Sequence, residues 1–265
     1  MCRSTRNSTK GRVPIRFGTY NIWNGRNGGL ESVLRGVSQA NMDMGIFKEN
    51  KATDGVYIRG LDGYSIVTTD APSRHCGGVA VFYQPAPNFV VEAVQKFGPN
   101  IVGFQLATWE RRWYIMGCYL APDNTSMIES IVVALKEQQR GAKLLVAGDF
   151  NDKLSETEGD QRGEDVATAL ATDGLGDMLE LFLLRRSSWC WDGRTWGMIR
   201  EGREVRSWTN YILGTDHRLL WNVSVRDPRN KSDHYMVMGC LRIAPLREHV
   251  KYLGGHKRPS LRLSW

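Results

Sequence analysis

Apolar and polar residues alternate over short runs through most of this chain, and the runs come in two styles. Residues 15–23 alternate as a strand and carry Asn21 near the end, before the turn-rich segment 24–29. Leu30, Val33, Leu34 and Val37 then recur at helical spacing, which predicts an amphipathic helix over residues 30–39. Residues 42–47 form the next predicted strand, with Glu49 just past its end. Strand, helix, strand, with polar groups at both strand ends, is how an α/β scaffold presents a site. From Gly63 to Tyr119 the rhythm becomes a meander. Residues 64–68, 78–83, 89–94, 101–108 and 112–119 are short β runs separated by Gly, Pro and polar turns, with mostly antiparallel pairing expected.

A second amphipathic helix is predicted over 127–139, leading into a buried strand over 144–147. Gly148 bounds that strand, and Asp149 and Asn151 follow. If the pleat continues, their side chains point to the same side; the ordinary alternative is an Asx turn. Residues 152–163 read as a polar loop, 164–172 as a helix and 175–184 as a further helical region. The stretch 185–213 gathers Trp189, Trp191 and Trp196 with Arg185, Arg186, Arg194, Arg200 and Arg203, before a short β run near 204–209. Its Arg200-Glu201-Gly202-Arg203 predicts a hairpin turn. Aromatics mixed with arginines suit stacking on bases and pairing with phosphates, although a Trp-rich core edge with solvated arginines has the same composition. Residues 219–226 and 235–243 are the closing strands, with Ser232-Asp233-His234 just before the last.

Composition narrows the class. With 265 residues, 42% hydrophobic and 24% charged, the chain suits one large α/β or two-sheet domain. Lys plus Arg outnumber Asp plus Glu by 35 to 28, a net charge of +7 that favours a polyanionic partner. The excess lies at the ends, so 1–12 reads as a basic disordered arm, 13–243 as the domain and 244–265 as a basic tail or linker. The five cysteines (Cys2, Cys76, Cys118, Cys190, Cys240) are scattered without a Cys-x-x-Cys. That argues against a zinc module or a disulfide scaffold and fits a reducing compartment. No apolar run approaches the roughly 18 residues of a membrane span, and no signal-peptide core opens the chain. A soluble, intracellular and nuclear protein without a membrane partner is expected.

Five predicted strand ends carry Asn21, Glu49, Tyr119, Asp149 and His234. Singly, these are a turn residue, a surface carboxylate, a sheet aromatic, an Asx turn and a satisfied histidine. Together they match a phosphoryl-transfer toolkit. One carboxylate with waters suffices for Mg²⁺, an acidic acceptor can orient a water, and a histidine can neutralise charge on a phosphoryl group.

Thr19-Tyr20-Asn21, Phe47-Lys48-Glu49, Cys118-Tyr119-Leu120-Ala121-Pro122, Gly148-Asp149-Phe150-Asn151 and Ser232-Asp233-His234 stand in the order of five family motifs. They resemble those of the endonuclease/exonuclease/phosphatase superfamily, the DNase I-like fold, over about residues 13–243. Thr195-Trp196 and the later Ser207-x-x-x-Tyr211-Ile212-Leu213 are similar to the apurinic-type endonuclease domain of non-LTR retrotransposon polyproteins. The resemblance implies a four-layered α/β sandwich, two packed, mainly antiparallel sheets flanked by helices. It implies Mg²⁺, with Mn²⁺ as a substitute, on Glu49 with Asn21 and Asp233. Asp149 would activate the attacking water, Asn151 and Tyr119 would grip the scissile phosphate, and His234 would stabilise the developing charge. Arg74, Trp196, Arg200 and Arg203 would contact DNA. The activity implied is hydrolysis of a DNA phosphodiester to leave a 3′-hydroxyl, by a monomer whose intact element supplies a reverse transcriptase. No polymerase motif occurs in these residues. The alternatives are a catalytically weakened or dead DNA-binding copy of the domain, and a phosphatase of the same fold.

Two departures from the family pattern stand out. Ser207-Trp208-Thr209-Asn210-Tyr211 has Asn210 where the family has an aspartate behind the catalytic histidine. Asn210 is expected to accept from His234 through its amide oxygen, without the charge that steadies an imidazolium, and a rotated amide would leave the tautomer less strictly fixed. The same Asp-to-Asn change in a serine-protease triad lowers turnover by about 10⁴, and a smaller loss is expected here. Lys48, where the family commonly has glutamine, reads as the milder departure.

Overall fold

The computed structural model describes residues 13–22, 29–52, 57–61, 63–73, 75–108, 112–122, 129–131, 133, 143–151, 168, 195–200, 203–207, 209–215, 220–226 and 232–243. In chain order it opens with β1 (Val13–Asn21), α1 (Gly29–Gln39) and β2 (Met44–Lys48). The meander follows as β3 (Tyr57–Leu61), β4 (Tyr64–Thr68), β5 (Val79–Tyr83), β6 (Val90–Gly98), β7 (Ile101–Ala107) and β8 (Arg112–Tyr119). Then come β9 (Lys143–Asp149), β10 (Trp196–Arg200), β11 (Arg203–Ser207), β12 (Asn210–Gly214), β13 (Leu220–Arg226) and β14 (Met236–Ile243).

Twelve of these strands make two sheets. One is seven-stranded, in the order β13-β14-β1-β2-β5-β4-β3, and the other five-stranded, β12-β9-β8-β7-β6. Each sheet holds one parallel pair, β1 with β2 and β8 with β9, among antiparallel neighbours. A parallel pair needs a crossover, and α1 supplies the one between β1 and β2. The remaining two strands, β10 and β11, form a ribbon of their own. Its register pairs Arg200 with Arg203, as the hairpin turn predicted.

The sheets pack face to face. Ile15, Phe17, Ile46, Val81, Phe104, Ile115 and Leu145 share one buried cluster between them. The approach is close enough that a Cβ on Gly117 would meet Ile46 at 2.7 Å. Successive strand residues face opposite sides, so the other half of each strand needs a cover. On the seven-stranded sheet, Val33, Leu34 and Val37 of α1 provide it, packing with Tyr20, Phe47, Tyr64 and Phe82. On the five-stranded sheet, Ile131 from a helical stretch packs with Tyr114, Met116, Leu144 and Val146. Burial on both faces is why β2, β4 and β5 read as continuous apolar runs. Among the described residues, no helix is long and apolar enough to cross a membrane.

The structure adds two strands that the apolar pattern does not predict. β3 carries Arg59 and Gly60 and pairs irregularly with β4, and β12 has only three apolar residues inside the Trp/Arg-rich stretch. Residues 129–131 and 133 are helical within the predicted 127–139 helix, and Thr168 within the predicted 164–172 helix. The rest of those helices, the 175–184 region and both terminal segments lie outside the described residues.

Candidate active site

Strand pairing alone brings the polar strand ends together. Asn21 stands opposite Lys48 across β1 and β2, Tyr119 opposite Asp149 across β8 and β9, and Asn210 opposite Asp149 across β9 and β12. A bridge between Trp196 and His234 ties the ribbon to the start of β14. One edge of the two-sheet stack thus collects Asn21, Lys48, Glu49 and His234 from one sheet, and Tyr119, Asp149, Asn151 and Asn210 from the other.

Asp149 is the hub. It is fully buried, and its Oδ2 accepts a 2.7 Å hydrogen bond from Asn21 Nδ2 across the sheets. Its Oδ1 accepts from the Asn151 backbone N–H at 3.1 Å. That second bond is an Asx turn, and Asn151 has φ +51°, so the pleat does not continue past Asp149. Asn151 reaches the site from a turn, with Nδ2 donating to the Leu120 carbonyl at 3.0 Å. The Tyr119 hydroxyl hydrogen-bonds to Glu49 and Asn151. Burial first, and then the Glu49 carboxylate, hold its proton well above the usual phenol range. Glu49 has φ +53° and lies 3.8 Å from the Lys51 ammonium.

His234 is 8% exposed. Its Nδ1 lies 3.0 Å from Asn210 Nδ2 and 3.6 Å from Asp149 Oδ2, and its Nε2 3.8 Å from Asp233 Oδ1. Burial lowers its pKa, against the pull of Asp149 and Asp233. Ser232 Oγ accepts from the His234 N–H at 3.2 Å and donates to the Asn21 carbonyl at 2.8 Å, locking the loop before β14 onto the end of β1. Asp233 is more exposed, and its Oδ2 accepts from the Trp196 indole at 2.8 Å.

Lys48, the departure read as the milder of the two, has a wholly buried side chain, and its Nζ donates to Asn210 Oδ1. The two departures from the family pattern are bonded to each other. Asn210 therefore does not accept from His234 through its oxygen, as expected, but turns Nδ2 toward the ring. Burial drives the Lys48 ammonium down to about 8, against the stabilising charges of Asp149 and Glu49. Thr195 also does more than mark a subgroup. Its buried Oγ1 accepts from the backbone N–H groups of Thr209 and Asn210, at 2.8 and 3.0 Å, and fixes the start of β12. A buried lysine and a threonine before a tryptophan carry no chemical signal in sequence; their partners are distant in the chain.

Of the expected DNA contacts, Trp196 is half-buried against Asp233 and Arg203 is exposed on the ribbon. Arg74 and the Arg200 side chain lie outside the described residues.

The donor set fits a hard cation. Glu49 offers one carboxylate, and Asn21, whose Nδ2 faces Asp149, has its oxygen at the other end of the amide. No group of three or more His, Cys, Asp and Glu side chains among the described residues could form a cage. One carboxylate with water-filled positions suits Mg²⁺, which keeps several waters.

No family model matches the sequence, and neither does any curated protein. Solved structures do. The chain is similar to the endonuclease domain of TRAS1, a telomere-specific non-LTR retrotransposon, at 18% identity and TM-score 0.67, covering 87% of this chain and 99% of that one. It is similar to an AP endonuclease from Archaeoglobus fulgidus at 14% identity and TM-score 0.66, over 86% and 100% of the two chains. A third match is D. rerio TDP2 complexed with single-strand DNA product, at 13% identity and TM-score 0.61, over 86% and 98%. At these identities the likeness is one of fold, and the chain shares the DNase I-like fold of these three structures.

Proposed function

We propose that this protein is a divalent-metal-dependent phosphodiesterase that hydrolyses DNA to leave a 3′-hydroxyl, as the target-nicking domain of a non-LTR retrotransposon would. With that reading goes the full four-layered sandwich, a helical layer over each sheet. The observation that carries it is the convergence of Asn21, Glu49, Tyr119, Asp149, Asn151 and His234 at one edge of the stacked sheets. A basic chain of net charge +7 supports a DNA substrate. So does the ribbon, which exposes Met198 and Ile199 beside Arg203.

Each residue has a task in that reaction. Asp149 uses one lone pair on each oxygen for Asn21 and the Asn151 N–H; the others remain to orient the attacking water and accept its proton. Asn151 and the Tyr119 hydroxyl, which keeps its proton, hold the scissile phosphate. His234 donates to a phosphoryl oxygen as negative charge builds there. Glu49, with Asn21 and Asp233, would hold Mg²⁺ or Mn²⁺, which polarises the phosphoryl oxygen when bound.

Asn210 supports a second reading, a weakened copy that binds DNA and cuts it slowly, because the group hydrogen-bonded to His234 Nδ1 is an amide rather than a carboxylate. Incubating the full chain with supercoiled plasmid, with abasic-site duplex and with inositol phosphates, each with Mg²⁺, separates the readings. Nicking or abasic-strand cleavage supports the endonuclease. Phosphate release without nicking would make it a phosphatase, and DNA retention without cleavage an inactive copy.

A further inference from the structure

The amide of Asn210 lies between a lysine ammonium and a backbone carbonyl, two groups of fixed polarity. Lys48 Nζ, which has only N–H to offer, meets Oδ1. On the other side, the Thr195 carbonyl at 3.5 Å and Thr209 Oγ1 at 3.3 Å face Nδ2. The amide is therefore held one way round, with Nδ2 3.0 Å from His234 Nδ1. Two donors facing each other at 3.0 Å would repel, so this amide favours a lone pair on Nδ1, against the Asp149 carboxylate, whose Oδ2 is farther from that nitrogen at 3.6 Å.

We infer that Lys48 is a positioning residue that acts through Asn210 to keep the His234 proton on Nε2, the opposite tautomer to that of a histidine backed by an aspartate. Nδ1 is buried against Asn210 and Asp149, while Nε2 lies on the side of the more exposed Asp233. With its proton there, His234 is a hydrogen-bond donor toward a phosphoryl oxygen from the outset. It has no lone pair on that side with which to deprotonate water, so the base must be Asp149. Cationic charge in this unit then resides on Lys48, hydrogen-bonded to Asn210, rather than on the ring. The departures at positions 48 and 210 form one unit: a lysine to orient an amide, and an amide to orient a ring.

The inference rests on the phosphodiesterase reading only in giving Nε2 an oxygen to face, and its test uses neither DNA nor metal. Two-bond ¹H–¹⁵N correlation spectra of the ¹⁵N-labelled full chain report which ring nitrogen carries the proton. The His234 signals are those missing from the His234→Gln spectrum. The parent should show protonated Nε2 and bare Nδ1. Asn210→Asp should reverse this, because a carboxylate accepts from Nδ1–H. Lys48→Met should give a mixture of both forms, and Lys48→Gln, which keeps an N–H donor toward Oδ1, should restore the parent pattern. A parent ring protonated at Nδ1 would overturn the inference. So would Lys48→Met with the parent's single form, because the Thr195 carbonyl alone would then orient the amide.

Discussion

Glu49 and Asn151 hold left-handed backbone conformations, φ +53° and +51°, without being glycines. Such conformations cost of order 1–3 kcal/mol each and persist where their surroundings determine them, which is frequently at functional sites. Glu49→Gln keeps the shape and removes the charge. It should weaken Mg²⁺ binding and nicking while leaving the thermal midpoint nearly unchanged; a metal titration matching the parent would exclude Glu49 as the ligand. Lys48 makes a pH prediction. Its ammonium is held at about 8 against an ordinary 10.5, so between those values the unfolded chain keeps a proton that the folded chain has released. Stability from this group therefore rises as pH climbs through that window, and the burial penalty is complete below it. Melted side by side from roughly pH 7 to 10, the parent should gain on Lys48→Met; parallel curves would mean that burying the ammonium carries no penalty. The Lys48–Asn210 bond also sets the outcome at position 210. Asn210→Asp alone should raise the nicking rate less than about 10-fold, because Lys48 neutralises the new carboxylate. Combined with Lys48→Gln, the gain should reach about 10-fold. Equal gains in both backgrounds would show that residues 48 and 210 act independently.

The elements that carry the site are those with the strongest apolar patterns. β1, β2, β8 and β9 are legible because alternate or continuous apolar residues mark strands buried on one or both faces, and their polar ends follow directly. β12 is not legible. Its three apolar residues sit among arginines and tryptophans, and what makes it a strand is pairing with β9, supported by the Thr195 hydroxyl. β3 is hidden for a related reason, an edge strand whose register slips between Arg59 and Leu61. The Asp149–Asn151 pair shows a third cause. Its spacing suggests a shared pleat, but a carboxylate that can accept from the N–H two residues on ends the strand in a turn. The ribbon of β10 and β11 is legible from its turn, and it yields a prediction. Replacing Arg200 and Arg203 with Ala should reduce the slope of log affinity for DNA against log salt by about 0.9 for each phosphate that an arginine neutralises. An unchanged slope would mean that both arginines are merely solvated.

At the scale of the molecule, the site is also a seam. The Asn21–Asp149 and Lys48–Asn210 hydrogen bonds each join one sheet to the other at the edge where the apolar core ends. The first spans 128 residues of sequence and the second 162. No local pattern could announce such pairs, which is why the bond from Lys48 to Asn210 is not legible until the sheets are stacked. Motif order, by contrast, is enough to anticipate the fold, because those motifs mark strand ends that only this stacking brings to one place. The proposal that this edge hydrolyses DNA to a 3′-hydroxyl, with Asp149 activating the water, is tested by a nicking assay on supercoiled plasmid, followed by extension of the nicked strand with a DNA polymerase and labelled nucleotides. The parent should give Mg²⁺-dependent nicks that extend without prior end repair, and Asp149→Ala should give none above background. Nicks that survive in Asp149→Ala, or that extend only after a 3′-phosphate is removed, would contradict that claim.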